Sequence, residues 1–241
     1  MKIKHKALLL SLCAVLLVAA TVFGTLAYLT DTEAVTNTFA VGSVGLSLDE
    51  ADVKPDGTLD TNDRVQANEY HLLPGHTYIK DPTVTVDAKS EDAYIRMVVK
   101  VENIDQLKLA LPDSKYYGAD GVFLLQNLVT GWDNNIWVYE GYTADGNNGI
   151  YEFRYVGNDI ENPGNGIVVK SETATVLPDL FTHITVPGEI DNTHLAYLDN
   201  VNIVVTAHAI QADGFADADA AWTAFGTQHP ATGAGAGSAG N

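Results

Sequence analysis

The chain has 241 residues and carries 31 acidic against 13 basic side chains, which gives a formal net charge of −18 at pH 7. A surplus of this sign makes nucleic acid and anionic lipid head groups poor partners. The length fits one large domain, or at most two small ones, with a substantial core.

The N-terminus has the three parts of a secretory signal peptide. Three lysines (Lys2, Lys4 and Lys6) precede an apolar run of 18 residues at 7–24, and Thr25-Leu26-Ala27 follows it. The small residues at 25 and 27 predict cleavage after Ala27, so that Tyr28 begins the mature protein. Because 18 residues is the lower limit for a membrane-spanning helix, an uncleaved anchor is the alternative.

Cleavage changes the composition of the chain. Loss of 1–27 removes three lysines and no carboxylate, which takes the net charge from −18 to −21, and it removes Cys13, the only cysteine. The mature protein then has no disulfide, no thiolate metal site and no cysteine nucleophile. It also keeps no stable membrane anchor.

The first mature segment, 28–41 (YLTDTEAVTNTFAV), contains no Pro, Gly or Lys. Val35, Phe39 and Val41 all lie at odd-numbered positions, as expected for side chains on one face of a strand, where the pattern repeats every two residues. Edge strands are normally blunted by Lys, Pro or bulges, so a free segment without them can add itself to the sheet of another molecule. We expect 28–41 to be a donor strand whose three apolar side chains fill a groove in the next subunit.

Short strands separated by turn residues make up most of the remaining chain. A strand around Val44–Leu48 is followed by the polar, acidic stretch 49–68, which predicts a surface loop. The segment 122–129 lacks strict alternation and predicts a short helix, and Asp217 and Asp219 near the start of an Ala-rich stretch indicate a terminal helix within 213–225. Strands are predicted at 77–80, 83–86, 93–101, 135–140, 150–155, 174–177, 181–186 and 201–210, with 135–155 as a hairpin.

This order of elements predicts an all-β fold. Many short strands with few helices favour a jelly-roll-like β-sandwich with one or two short helices. We expect a single domain over 28–230. The Gly- and Ala-rich tail 231–241 has low complexity and is expected to be disordered.

Several blocks of the sequence resemble one bacterial family. The junction Gly24–Asp31 is similar to the SipW-dependent class of export signals, and the chain resembles the TasA and camelysin (CalY) family that uses them. The resemblance covers nearly all of the mature chain, in the order Asn37-Thr38-Phe39, Leu73-Pro74-Gly75, Lys80-Asp81-Pro82, Ala93-Tyr94-Ile95, Leu180-Phe181-Thr182, Val186-Pro187-Gly188 and Ala207–Phe215 with Trp222.

The resemblance implies a TasA-like jelly-roll domain, cleavage by a signal peptidase of the SipW type, and a secreted, extracellular structural protein. Its partners would be other copies of itself, assembled into fibres of the biofilm matrix or cell surface, and other matrix components. No cofactor and no catalytic residue are expected for this role.

Camelysin-like proteins have also been described as metallo-endopeptidases, so a metal site is an alternative. The zinc motif His-Glu-x-x-His does not occur. The nearest cluster is Glu69, His71 and His76, in which Pro74-Gly75 prevents the two histidines from sharing a helix face. The acidic stretch 56–63 does not match an EF-hand, and a solvated loop is the preferred interpretation.

A monomeric adhesion module is the third hypothesis. It would use the aromatic residues Trp132, Trp137, Tyr139 and Tyr142 around the predicted hairpin. The simpler interpretation is that these rings fill the core.

Overall fold

The computed structural model describes residues 43–157 and 166–228, which belong to one unit of contacts, 42–241. Short helices at Ser114–Tyr116, Leu125–Asn127 and Ala196–Asn200 have 3₁₀ geometry. The α-helices within these described ranges are α1 (Ile104–Ala110), α2 (Asn192–Leu195) and α3 (Ala218–Gln228). The strands of the described ranges are β1 (Leu46–Val53), β2 (Leu59–Val65), β3 (Thr77–Ile79), β4 (Thr83–Val86), β5 (Ala93–Glu102), β6 (Val129–Thr130), β7 (Trp137–Asp145), β8 (Asn148–Tyr155), β9 (Ile167–Val168), β10 (Thr175–Val176), β11 (His183–Thr185) and β12 (Asn202–Gln211).

The strands form three antiparallel sheets, so the predicted all-β class is confirmed. One sheet has the order β10-β4-β1-β2, and a small sheet has the order β3-β11-β6. The largest sheet has the order β12-β5-β8-β7, and the short β9 pairs with the start of β5. All three sheets contribute to one apolar core.

Strand β5 lies at the centre of the largest sheet and shows why this sheet forms. Ile95, Met97, Val99 and Val101 alternate along it and are completely buried, because side chains two apart point to the same face. The intervening residues, including Arg96, are partly exposed on the other face. The sequence prediction of a strand with one core face is therefore confirmed.

Helix α1 follows β5 after a sharp change of chain direction. Asn103 adopts a left-handed conformation with φ 54°, and its side chain donates to the carbonyl of Asn200 at 2.7 Å. Asparagine adopts this backbone conformation more readily than most other non-glycine residues. Ile104 and Leu107 are then buried against the core.

Helix α3 covers part of the outer face of the largest sheet. Trp222 and Ala221 are buried there with Tyr94 of β5 and Ala212. The terminal helix was therefore predicted correctly. It begins at Ala218, where the Asp217 carboxylate accepts from the Ala220 amide at 2.8 Å.

The prediction of a surface loop over 49–68 is wrong. β1 extends to Val53 and forms a hairpin with β2, with Glu50 opposite Val65. Six of the seven β2 residues are exposed, so this strand lacks the apolar alternation that sequence analysis requires. It is held by main-chain pairing and by Arg64, which donates to Asp49 at 2.7 Å and to Asp81 at 2.6 Å.

Other boundaries also differ from the predictions. The expected helix at 122–129 is reduced to the single 3₁₀ turn at 125–127, followed by β6. The hairpin predicted around 135–155 is confirmed as β7 and β8. In the part of the chain that the structure describes, α1 and α2 form where no helix was predicted, because both are too short to show a clear helical period.

The predicted signal peptide 1–27, with its cleavage site at Ala27 and Tyr28, lies outside the described residues, and so do the donor segment 28–41 and the tail 231–241. Among the residues that the structure does describe, no helix has the length and apolar character needed to cross a bilayer.

Candidate functional site: the β12 edge and its groove

The most distinctive surface of the described chain is the outer edge of β12. This strand of ten residues pairs with β5 along its whole length, and it has no second neighbour among the described strands. Its sequence, NIVVTAHAIQ, contains no Lys, Pro or Gly. A long strand edge without these residues can accept a further strand by main-chain pairing.

Two of the other sheet edges, β7 and β2, carry features that oppose pairing. β7, at the far edge of the same sheet, has an irregular register between Tyr139 and Gly141, with Glu140 exposed. β2 carries Asp60, Asp63 and Arg64 on its exposed surface. Charges and bulges of this kind blunt an edge. Of these three edges, β12 is the one best suited to accept a strand.

One face of β12 belongs to the main core. Ile203, Val205, Ala207 and Ala209 are partly buried and pack against it. A strand placed beside β12 would continue this apolar face, because alternate residues of neighbouring strands point to the same side.

A groove opens beside the first residues of β12. Its volume is about 840 Å³, and Val201–Val204 form one of its walls. The volume lies within the usual range for a binding pocket. The apolar lining comes from α1, α2, β11, the 3₁₀ turn at Ala196–Asn200 and neighbouring segments. It includes Leu107, Leu111, Leu128, Ile184, Leu195 and Leu198.

Segment 67–73 forms another wall of the groove, and a set of hydrogen bonds holds it in place. The Tyr70 hydroxyl donates to the Ile79 carbonyl at 3.0 Å, and burial raises the pKa of Tyr70. The Tyr78 hydroxyl donates to the His71 carbonyl at 2.8 Å and accepts from the Leu73 amide at 2.6 Å. The wall is thus fixed to β3 along its length.

A buried ion pair lies at this wall. Lys80 lines the groove, and its Nζ is 2.6 Å from Oε2 of Glu50 in β1. Lys80 and Glu50 are only 8% and 5% exposed. Charged groups are rarely buried to this extent unless they are paired.

The groove and the first described residue lie at opposite ends of β12. Ser43 is the first described residue, and its carbonyl accepts from the Glu91 amide at 3.1 Å. Glu91 comes two residues before Ala93, which pairs with Gln211 at the end of β12. The groove borders the start of β12, at Asn202. Ten residues of strand separate the two ends by about 30 Å.

The candidate metal residues lie on this side of the molecule. Glu69, His71 and His76 are all exposed, and Glu69 and His71 line the groove, whereas the His76 ring lies 6.5 Å from the Tyr78 ring. Among the described residues, no three His, Cys, Asp or Glu side chains gather into a group that could hold a metal ion. The three residues are not brought together in that way.

The predicted assembly residues Val35, Phe39 and Val41 lie outside the described residues, as does the cleavage site. What the structure adds is a surface that such residues could bind. Sequence analysis missed the groove because its lining comes from segments far apart in the chain. The uncharged run in β12 was the one signal that could have indicated the edge.

The aromatic residues of the predicted hairpin mostly serve the core. Trp137 is completely buried and donates from Nε1 to the Pro178 carbonyl at 2.9 Å, while Trp132 Nε1 donates to the Trp137 carbonyl at 2.7 Å. Tyr139 is 39% exposed, and the cavity that it lines with Trp132 is only about 20 Å³. That volume holds about one water molecule and no sugar ring.

No family model, no curated protein and no solved structure matches this chain.

Proposed function

We propose that this protein is a secreted structural subunit of extracellular biofilm-matrix or cell-surface fibres, and that each subunit donates segment 28–41 to the next. The observation that carries the proposal is the unblunted β12 edge beside a groove of about 840 Å³ that has apolar side chains in its lining. An exposed edge of this kind binds an extended segment through main-chain hydrogen bonds, and pockets beside it select the side chains.

The export signal and the sequence resemblance support the same role. In this proposal, cleavage after Ala27 frees Tyr28 as the N-terminus, and the domain over 28–230 is a TasA-like jelly-roll sandwich. Before cleavage, the donor segment is tethered to the membrane. After cleavage, its free end can reach another molecule.

The donor segment has side chains that suit the groove. Val35, Phe39 and Val41 share a parity, so one face of an extended strand presents all three. Each large apolar side chain that becomes fully buried contributes about 1.5–3 kcal/mol. Three such side chains, together with main-chain hydrogen bonds along β12, offset the loss of freedom on association.

The positions of the two ends favour fibres over closed dimers. The chain leaves the described domain at Ser43, beside the end of β12, whereas the groove borders its start. The groove and the point where the donor segment leaves the domain are therefore different patches at opposite ends of one strand. Such head-to-tail contacts form open filaments when the rotation between subunits does not close.

The test is assembly of the purified mature chain, measured by light scattering and electron microscopy. Deletion of 28–37, or Phe39→Asp, should leave a folded, soluble monomer that forms no fibres. Assembly of the deletion at the wild-type rate would show that the contacts lie elsewhere.

A secreted metallo-endopeptidase is the second candidate, because Glu69 and His71 line the same groove that would receive an extended peptide. It requires a bound metal and a water-activating carboxylate, a role that Glu69 would take. Stoichiometric zinc and peptide hydrolysis, both lost in the double variant His71→Ala/His76→Ala, would support this candidate against the structural role.

A further inference from the structure

We propose that Lys80 and Asn68 form an intramolecular isopeptide bond in the groove wall, with Glu50 as the acid–base group. The inference does not depend on the fibre proposal. It rests on two side chains, Lys80 and Asn68, that converge on the buried carboxylate of Glu50.

The carboxylate of Glu50 holds both reacting groups. Lys80 Nζ lies 2.6 Å from Oε2, and Asn68 Nδ2 donates to Oε1 at 2.9 Å. The amine and the carboxamide therefore sit on the two oxygens of one buried carboxylate. Holding a nucleophile, an electrophile and a proton acceptor together removes much of the entropic cost of their reaction.

The carboxamide of Asn68 is oriented by the main chain of β1. Its Oδ1 accepts from the Val53 amide at 3.0 Å, and its Nδ2 donates to the Ala51 carbonyl at 2.9 Å. These groups lie at the irregular register between Ala51 and Val53. The Val53 N–H thus points at the oxygen that becomes negatively charged when a nucleophile attacks the carbonyl carbon.

The reaction balances without a further reactant. One proton passes from Lys80 Nζ to Glu50, and the neutral amine attacks Cγ of Asn68 to give a tetrahedral intermediate whose negative oxygen faces the Val53 N–H. Glu50 then protonates Nδ2, the Cγ–Nδ2 bond breaks, and ammonia leaves. Glu50 takes the second proton from Nζ, so the products are an amide bond, ammonia and a protonated carboxyl group that returns its proton to solvent.

The surroundings suit this chemistry. Lys80 and Glu50 are both more than nine-tenths buried, and the Tyr70 ring centre lies 5.8 Å from Nζ. The low exposure of Lys80 and Glu50 strengthens electrostatic effects at the site, including that of the Val53 N–H. The bond would close a loop over 68–80 and tie the groove wall to the end of β3, in a chain with no cysteine besides Cys13.

The test is mass spectrometry of the purified full chain after incubation at neutral pH. Trypsin cleaves after Arg64, Lys80 and Lys89 in an unmodified chain. We expect a single peptide 65–89, uncut after Lys80 and lighter than its sequence mass by one ammonia. Separate peptides 65–80 and 81–89 at their sequence masses would overturn the proposal.

Two variants test the proposed roles of Lys80 as the nucleophile and Glu50 as the base. Lys80→Arg keeps the cation but removes the amine nucleophile, and Glu50→Gln removes the base, so both should keep the full sequence mass. The control is Lys170→Arg, because Lys170 pairs with Glu91 at 2.7 Å on the surface, and this variant should retain the loss of ammonia. Ammonia loss with normal cleavage after Lys80 indicates a succinimide at an asparagine and would contradict the proposal. If a variant fails to fold, the wild-type digest still decides.

Discussion

The guanidinium carbon of Arg96 lies 4.6 Å from the ring centre of Trp222 and 4.8 Å from that of Phe225. Arg96 also donates to Glu152 at 2.9 Å and, from Nε, to His208 Nδ1 at 3.3 Å. A cation over aromatic faces is stabilised by the ring quadrupoles, more strongly when it is desolvated. These contacts fasten α3 to the outer face of the largest sheet.

We therefore expect Trp222→Ala to lower the free energy of unfolding by about 3 kcal/mol, since it removes a buried aromatic side chain and leaves a cavity. Trp222 is 4% exposed. Urea unfolding of the wild type and variant measures the difference. Thr223→Ala, on the exposed side of the same helix, is the control. An equal change in the free energy of unfolding in both variants would mean that the packing of Trp222 contributes little to stability.

The contribution of the Glu189 carboxylate to stability is expected to depend on pH. Hydrogen bonds from Lys115 and then Tyr116 lower the pKa of Glu189 from 4.5 to about 2. A carboxylate whose pKa is depressed by folding adds stability above its unfolded pKa, and that stability is lost as the pH falls through the folded value. The stability difference between wild type and Glu189→Gln should thus be constant above pH 4.5 and decline towards pH 2. Urea unfolding at stepped pH measures it, and a difference that does not change with pH would contradict the assignment.

Gly57 allows backbone strain to be separated from a steric clash. Its φ is 83°, and an added Cβ would lie 2.8 Å from the Tyr78 Cα. Gly121 has a similar φ of 75° but no atom within 4 Å of such a Cβ. The left-handed conformation costs a non-glycine residue about 1–2 kcal/mol, so Gly121→Ala should lose about that much stability and Gly57→Ala clearly more. Equal losses in urea unfolding would show that the Tyr78 backbone moves away.

The fibre proposal predicts two kinds of chain terminator. Val204→Lys places a charge on the β12 edge, where Val204 is 41% exposed, so this variant should still donate a strand but accept none. The deletion of 28–37 should accept but not donate. Neither variant should form fibres alone. In an equimolar mixture of the two, assembly should stop at dimers, which light scattering would detect.

The matched control for Val204→Lys is Val176→Lys, because Val176 is 66% exposed in β10 at the edge of another sheet. This variant should assemble as the wild type does. Fibres from Val204→Lys alone would rule out β12 as the acceptor edge.

The sequence predicted the elements that have a clear apolar period. β5, β12 and the β7–β8 hairpin show alternation, and their positions were predicted closely. β2 could not be predicted in this way, because its exposed acidic residues are held by main-chain pairing and by Arg64.

The site was less predictable than the fold. Glu69 and His71 were selected for their chemistry, and both line the groove. Lys80 was predicted to lie in a strand, but nothing in the local sequence indicates that Glu50, thirty residues earlier, meets it in a buried pair. Contacts of this kind depend on tertiary packing and leave no periodic signal.

The pairing of β5 with β12 also constrains how the protein folds. Glu102 pairs with Asn202, and Ala93 pairs with Gln211, so the central strand of the largest sheet finds one neighbour only after about a hundred further residues have been synthesised. Pairing between distant segments slows folding, because the loop must close before its contacts form. The chain therefore stays without its complete core until synthesis is nearly finished, a delay that would suit the proposed export of the protein as an unfolded polypeptide.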